Sequence, residues 1–309
     1  MSVLRDFFLA MSTNALMCQF VVGFPLSRRM SRRFVAGETI DEAIAVVKKL
    51  RGQGIDVTFD QLGESVTNEA EARAAKDGYV RALDAIAANQ VSSQVSVKLT
   101  QMGLDINTDL CLANLRQILK RAKQVGTLVT IDMEDSQHTQ VTLDVFKTLR
   151  EEFDNVGIVL QSYLYRSEED FKALMALGAN IRLCKGAYKE PAEVAFPQKK
   201  DVDANYIKLA QLFFNSNGST NHAYLDLATH DEKIIAWAKD YVTTHHVDRK
   251  RFEFQMLYGI RSDLQRKIVA EGYTMRVYVP CGTHWYPYFM RRLAERPANV
   301  IFLVSNLLK

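Results

Sequence analysis

The sequence predicts an α/β fold of the (βα)₈ barrel type, in which eight parallel strands alternate with helices and close into a cylinder. From residue 55 onward, short β-rich runs alternate with amphipathic stretches over about 250 residues, a length typical of this fold. An open, doubly wound sheet is the competing fold, but the sequence lacks its dinucleotide-binding motif GxGxxG. The one GxG, Gly52-Gln53-Gly54, has Val57 where the third glycine is required.

The predicted strands are short and rich in apolar and β-branched residues, as buried parallel strands should be. In chain order they are Ile55–Asp60, Gln94–Leu99, Leu128–Asp132, Gly157–Gln161, Asn180–Cys184, Ala223–Thr229, Phe252–Leu257 and Met275–Val279. Because one helical stretch separates each strand from the next, the strands are expected to run parallel.

The intervening helices are predicted from apolar residues that recur at helical spacing. Gly126, Gly178 and Gly272 each stand between a helical stretch and the next strand, which is the usual place for a glycine that ends a helix. The predicted helices are Asn68–Ala88, Leu110–Gln124, Thr139–Glu152, Glu168–Leu177, Ala204–Asn215, Asp231–Thr244 and Ser262–Glu271.

The chain is expected to divide into an N-terminal helical segment, residues 1–40, and a barrel domain, residues 41–309. The apolar run Ala15–Leu26 is interrupted by Gln19 and Pro25 and is too short to span a bilayer, so it predicts a packed helix. The closing segment Asn299–Leu308 is apolar and predicts a short packing helix.

Composition narrows the classes of function. The net charge of +3 comes from interleaved acidic and basic residues, which gives no electrostatic case for nucleic acid. The four cysteines form no CxxC pair and the six histidines form no HExxH motif, so we expect reduced thiols in a cytoplasm and no metal. The cluster of Arg28, Arg29, Arg32 and Arg33 is either a solvated helix face or a contact to an anionic membrane surface.

Polar residues stand at the carboxyl end of almost every predicted strand, which is the end where (βα)₈ barrels carry their chemistry. They are Asp60 and Glu64, Lys98, Asp132, Gln161, Arg182 and Lys185, Thr229 and His230, Gln255, and Tyr278. The pattern predicts a single polar pocket at the carboxyl end of the barrel. Its excess of cationic groups suits an anionic ligand, such as a small carboxylate together with a phosphate-bearing cofactor.

The segment Thr283–Glu295 follows the last strand and predicts a helix that carries a carboxylate-binding fork. Tyr288, Arg291, Arg292 and Glu295 fall at i, i+3, i+4 and i+7, and therefore on one face. Two adjacent guanidinium groups beside a tyrosine are well suited to a small carboxylate.

Eight collinear motifs, each at a predicted strand or in the final helix, resemble the proline dehydrogenase family from about residue 35 to the C-terminus. Among them are FDQLGE at 59–64, IDMED at 131–135, RLCKGAY at 182–188, FQMLYGIR at 254–261 and RVYVPCGTH at 276–284. The resemblance implies a (βα)₈ barrel with bound FAD that oxidises L-proline to Δ1-pyrroline-5-carboxylate. It also implies transfer of electrons to a quinone-type acceptor by a cytoplasmic protein that can contact the inner face of the cell membrane.

The resemblance also implies roles for individual residues. Arg291 and Arg292 would hold the proline carboxylate, with Lys98 and Asp132 close by, and Glu64 would pair with Arg291 in an ion-pair gate. The substrate ring would be lined by Leu257 and by the tyrosines Tyr188, Tyr278 and Tyr288. The catalytic residues would be Asp132 and Arg182, with Arg182 beside the flavin N5. The other cofactor-binding residues would be Met133, Gln161, Lys185, Gly186, Ala187, Thr229, His230 and Glu295.

Two alternative functions remain at this stage. The first is an aldolase-type lyase that forms a Schiff base at Lys98 or Lys185. The second is a protein that binds a carboxylate without catalysis. For proline oxidation itself, the acceptor of the amine proton is either Asp132 or water.

Overall fold

The protein is described by a computed structural model that covers residues 30–63, 66–216 and 222–295. Eight parallel strands pair in chain order, and the eighth pairs with the first, which closes the barrel. The strands are β1 Asp56–Gln61, β2 Gln94–Val97, β3 Val129–Ile131, β4 Val156–Gln161, β5 Asn180–Cys184, β6 Tyr224–Ala228, β7 Phe252–Leu257 and β8 Met275–Cys281. The predicted fold class is confirmed. Lys98 and Asp132, which the sequence predicts to be strand residues, lie one residue beyond the ends of β2 and β3.

A helix separates each strand from the next, so that every strand-to-strand connection has room to return to the same end of the barrel. The helices are α1 Ile40–Arg51, α2 Glu69–Ala88, α3 Thr108–Val125, α4 Thr139–Glu152, α5 Ser167–Ala176, α6 Lys199–Asn215, α7 Glu232–Thr244, α8 Ser262–Ala270 and α9 Trp285–Glu295. A single 3₁₀ turn, Arg249–Arg251, precedes β7.

Local sequence signals explain where several helices begin and end. Thr39 and Glu42 form a reciprocal capping box at the start of α1, and Asn107 caps α3 by accepting hydrogen bonds from two backbone N–H groups. The three glycines predicted to end helices, Gly126, Gly178 and Gly272, have φ values of 76°, 64° and 77°. This left-handed conformation turns the chain from the helix towards the following strand.

The two faces of the barrel strands differ in chemistry. One set of alternate residues, including Val57, Phe59 and Val95, is apolar and belongs to the main hydrophobic core with the surrounding helices. The other set points inside the barrel and is polar although it is buried. It includes Thr58, Asp60, Ser96, Thr130, Arg182, Asp226, Glu253, Gln255 and Arg276. The barrel interior therefore holds hydrogen-bonding and charged groups where many barrels hold branched apolar side chains.

A second hydrophobic cluster fixes α9 against one end of the barrel. Phe34, Trp285 and Phe289 are buried in it, and the rings of Phe34 and Phe289 lie 6.1 Å apart. The segment before α1 also binds the end of β8: Ala36 N donates to the carbonyl of Pro280 at 2.8 Å. The helix that carries the two predicted carboxylate-binding arginines is thus held on a packed apolar base.

Several predictions lie outside the described residues. These are the N-terminal helix Ala15–Leu26, the closing helix Asn299–Leu308 and the position of Glu64. The division between an N-terminal segment and the barrel near residue 40 stays a prediction. Within the part of the chain that is described, no helix combines the length and apolar character needed to cross a membrane.

Candidate active site

Asp132 is the centre of a partly buried hydrogen-bond network at the carboxyl end of the barrel. Its Oδ1 accepts from Ser96 Oγ at 2.7 Å and from Arg182 Nη1 at 2.9 Å. Its Oδ2 accepts from Tyr278 OH at 2.8 Å and from Lys98 Nζ at 3.4 Å. Burial favours the neutral acid, but the two cations and the two hydroxyl donors outweigh it and lower the pKa of Asp132. The carboxylate is therefore ionised near neutral pH.

Lys98 connects Asp132 with a second carboxylate. Its Nζ donates to Asp60 Oδ1 at 3.0 Å, and Tyr278 OH lies 3.4 Å away. Burial alone would favour a neutral amine, but Asp60 and the other anionic groups around it raise the pKa of Lys98 well above its usual value. The side chain is 21% exposed, so this ammonium group borders the open end of the barrel.

Arg182 lies deeper than Lys98 and is only partly satisfied. Its Nη1 donates to Asp132 and to Ser96 Oγ, the latter at 2.9 Å, and its guanidinium carbon lies 5.4 Å from the centre of the Tyr278 ring. Its Nε and Nη2 are buried and have no hydrogen-bond partner among the described residues. Buried N–H groups of an arginine are costly to leave unsatisfied, so this side of Arg182 is prepared for a polar ligand.

Helix α9 places the predicted carboxylate fork beside this network. Tyr288 and Arg292 are buried, the guanidinium of Arg292 lies 5.0 Å from the Tyr288 ring centre, and Arg291 is half-buried. Tyr188, from the loop after β5, is 42% exposed. Burial of its hydroxyl group and the charge of Glu134 raise the pKa of Tyr188 to about 12, whereas the positive charges of Lys98 and Arg291 act to lower it. The strand-end network and α9 therefore face a common region.

The predicted cofactor residues after β5 have contrasting environments. Lys185 Nζ contacts Asp203 Oδ1 at 2.5 Å and Asp231 Oδ2 at 2.7 Å, so two carboxylates hold it in place. Ala187 is exposed. Gly186 has φ 110°, and a Cβ at this position would lie 2.5 Å from the Tyr163 ring. Only glycine fits here without strain.

Replacement of Gly186 by alanine is expected to lower the free energy of unfolding by about 1–3 kcal/mol, because the backbone would be strained and the Tyr163 ring would have to move. Urea unfolding of the variant measures this change. Gly126→Ala is a matched control that also has positive φ but no atom within 4 Å of the added Cβ. A Gly186 variant no less stable than the control would contradict the close contact with Tyr163.

Four of the remaining predicted residues lie at or just beyond the carboxyl ends of β3, β4 and β6. Met133 and Thr229 are buried, and Gln161 donates through Nε2 to the carbonyl of Glu134 at 3.0 Å. Gln161 Oε1 is a buried acceptor with no partner in the described structure. His230 Nε2 accepts the backbone N–H of Leu257 at 3.0 Å, which fixes the ring against the end of β7. The side chains of Glu64 and Glu295 lie outside what the structure describes.

Sequence reasoning missed residues that support the network. Ser96 bonds both Asp132 and Arg182, and the available signal was its position two residues before Lys98, on the same face of β2. Glu134 accepts from the backbone and side chain of Thr100, at 3.0 and 2.6 Å, and so joins the loops after β2 and β3. No residue pattern predicted that contact. No described group of three or more His, Cys, Asp or Glu side chains could hold a metal ion.

Comparison with known proteins places this geometry in a family. Proline dehydrogenase 1 of Bacillus subtilis is 46% identical over 307 residues, covering 99% of this chain and all of that protein. The proline dehydrogenase of Deinococcus radiodurans is 45% identical and covers 91% of this chain and 90% of its own length. The structure of proline utilization A from Bdellovibrio bacteriovorus, inactivated by N-propargylglycine, matches with a TM-score of 0.80 and 29% identity over 86% of this chain and 32% of that one. The proline dehydrogenase family matches residues 43–305, and the chain belongs to it.

Proposed function

We propose that this protein is an FAD-dependent enzyme that oxidises L-proline to Δ1-pyrroline-5-carboxylate. The observation that carries the proposal is the alignment of two binding regions at one end of the barrel. The first is the hydrogen-bonded network of Asp60, Lys98, Asp132 and Arg182, and the second is the adjacent pair Arg291 and Arg292 on α9. Membership of the proline dehydrogenase family supports the choice of substrate.

The residues at the base of the site fit a flavin. Arg182 offers two buried nitrogen donors, Nε and Nη2, and Gln161 one buried oxygen, none of which has a partner among the residues described. A planar heteroaromatic ring with both acceptors and donors would satisfy them. Met133, Thr229, His230 and the loop Lys185–Ala187 would hold the rest of the cofactor. When bound, FAD supplies the two-electron acceptor that the protein side chains lack.

Arg291 and Arg292 would bind the substrate carboxylate, and the ammonium of Lys98 would add a third positive charge nearby. Tyr278, Tyr288, Tyr188 and Leu257 would enclose the ring. This binding fixes the orientation of the reacting carbon and excludes bulk water, which lowers the entropic part of the barrier. Glu64 would close the site by pairing with Arg291, and it would neutralise a guanidinium that is costly to bury alone.

The substrate amine must lose a proton before its lone pair can assist oxidation. Asp132 already accepts hydrogen bonds from four donors, and its lowered pKa makes it a weak base near pH 7. These properties favour water as the proton acceptor. Asp132 then acts by holding Lys98, Arg182 and Tyr278 in fixed positions around the substrate.

The same electrostatics disfavour the aldolase-type alternative. A Schiff base requires a neutral amine, whereas the pKa of Lys98 is raised well above its usual value by neighbouring anions. Lys185 Nζ is held by Asp203 and Asp231, and both contacts would have to break before it could attack a carbonyl carbon. A protein that binds carboxylates without catalysis would need the arginine pair but not the unsatisfied groups of Arg182 and Gln161.

Anaerobic mixing of the purified protein with L-proline tests the proposal. We expect the protein to be yellow, or to become yellow on adding FAD, and to lose its flavin absorbance when proline is added. D-Proline is the matched control, because it has the opposite configuration at the carbon that carries the carboxylate. A protein that takes up no flavin, or one whose flavin absorbance L-proline leaves unchanged, would contradict the proposal.

We further propose that the electrons pass to a membrane quinone and that the protein is cytoplasmic with peripheral contact to the inner face of the membrane. The support is the arginine cluster near residue 30, of which Arg32 and Arg33 are described and exposed. The charge of Arg32 is partly offset by Glu42 at 2.7 Å. We expect pelleting with anionic liposomes that weakens as salt is raised. Liposomes without anionic lipid are the control, and equal pelleting with both kinds would refute electrostatic membrane contact.

A further inference from the structure

The barrel interior holds a second polar layer, nearer the amino ends of the strands, that the proposed mechanism does not use. Its central pair is Arg276 and Glu253, whose two hydrogen bonds measure 2.5 and 3.0 Å. Gln255 Nε2 also donates to Glu253, at 2.7 Å, and Arg276 Nη1 donates to the carbonyl of Val57 at 3.0 Å. Glu253 therefore has the charge partner and hydrogen bonds that a buried carboxylate requires.

Asp226, in the same layer, forms no direct ion pair with any residue that the structure describes. It is fully buried, and its Oδ1 accepts one hydrogen bond, from Asn180 Nδ2 at 3.2 Å. Its Oδ2 has no partner among the described residues, and Asn180 Oδ1 is likewise a buried acceptor without a donor. An ionised carboxylate with one amide donor is costly in such a place.

A proton on Asp226 would supply the donor that these two acceptors lack. The carboxylic acid gains an O–H donor at Oδ2, and the amide of Asn180 offers the matching acceptor at Oδ1. An acid and a primary amide can pair through two hydrogen bonds in this way. Burial and the negative charge of Glu253 raise the pKa of Asp226 to about 7, against the opposing effects of Arg182 and Arg276.

Asp226 is also a neighbour of the proposed catalytic arginine. Arg182 and Asp226 are register partners across β5 and β6, and both are buried. Arg182 already shares its charge with Asp132 through Nη1. Ionisation of Asp226 would place a second negative charge beside it and weaken the positive potential that Arg182 presents to the site.

We propose that Asp226 is a positioning residue for Arg182, which holds a proton together with Asn180 and so keeps the positive charge of Arg182 directed at the active site. The inference rests on the proposed function of Arg182 in proline oxidation. The charged and titratable groups that face Asp226 are Arg182 from β5, Glu253 from β7, Arg276 from β8, and Tyr224 on its own strand.

Protonation of Asp226 predicts a pH dependence of the folding stability that can be tested without measuring catalysis. Between the unfolded pKa, 3.8, and the folded pKa, about 7, the folded protein holds a proton that the unfolded chain has lost. This contribution to stability therefore falls as pH rises through that window and becomes constant above it. An asparagine at this position has no proton to lose and removes the dependence.

The experiment compares Asp226→Asn with the unchanged protein and with Asp56→Asn, a control that removes a carboxylate bonded to Arg276 in the same layer. Urea unfolding is measured at about pH 5.0, 6.0, 7.0 and 8.5, which covers most of the interval between the unfolded and folded pKa values of Asp226 and extends above it. We expect the urea midpoint of Asp226→Asn to rise relative to the unchanged protein as pH increases. Asp56→Asn should show no such relative rise. A constant difference between Asp226→Asn and the unchanged protein would overturn the proton on Asp226, whether or not the protein oxidises proline.

Two further measurements complete the test. Infrared titration should show a protonated carboxyl band that disappears as pH rises through 7 and is missing in Asp226→Asn. If that variant does not fold, absence of the band from the unchanged protein overturns the proposal.

In the flavin-loaded enzyme, kcat for proline should decline above pH 7, and Asp226→Asn should lose that decline without a change in KM. A decline that persists in the variant would refute the link from Asp226 to Arg182.

Discussion

Replacement of Asp132 by alanine is expected to lower the free energy of unfolding by about 3–5 kcal/mol, because it leaves the buried charge of Arg182 and the partly buried charge of Lys98 undercompensated. The kcat for proline should fall by about 100-fold or more, since both cations and Tyr278 lose their common anchor. Urea unfolding and steady-state kinetics measure the two effects. Asp132→Asn, which keeps the shape of the side chain, provides the kinetic test if the alanine variant does not fold.

Asp84→Ala is the matched control for this prediction. Asp84 also pairs with an arginine, Arg121, at 2.7 Å, but its side chain is 55% exposed. Exposed ion pairs contribute about 0–1 kcal/mol, so the control should lose little stability and no activity. If the two variants were equally stable, the buried network would not have the energetic importance that its geometry indicates.

Replacement of Arg291 by methionine is expected to raise KM for proline by about 100-fold or more while FAD stays bound. A charge-assisted hydrogen bond contributes about 1.5–3 kcal/mol, and a bidentate carboxylate contact loses two of them. Since each 1.4 kcal/mol corresponds to about tenfold in affinity, the change is easily measured by steady-state kinetics and by proline titration of the flavin spectrum.

Arg266→Met is the control for Arg291, because it removes an exposed arginine from α8, away from the network. Its KM should match that of the unchanged enzyme. An unchanged KM in Arg291→Met would remove this residue from the carboxylate site. It would leave Arg292, which is buried beside Tyr288, as the remaining arginine of the fork.

The roles of individual site residues could be predicted from the sequence to different extents. Lys98 and Asp132 were identifiable because parallel strands bring their carboxyl ends to one edge. Ser96 follows from period-2 alternation, but its bond to Arg182 joins positions 86 residues apart. The pairing of Lys185 with Asp203 and Asp231 depends on where α6 and α7 begin in space, which no local pattern specifies.

The amino-acid sequence alone predicts the order of strands and helices, the closed barrel and the end at which polar groups collect, because these follow from periodicity, glycine positions and strand-end chemistry. Its motifs also determined the family. Which of the described interior groups are paired and which are unsatisfied became evident only from the folded structure. Glu253 forms an ion pair with Arg276, whereas Asp226 accepts a hydrogen bond from one described amide, although the two acidic residues are register partners in neighbouring strands. The physical reason is that charge state inside a barrel depends on distances between strands, and these are fixed only when the cylinder closes.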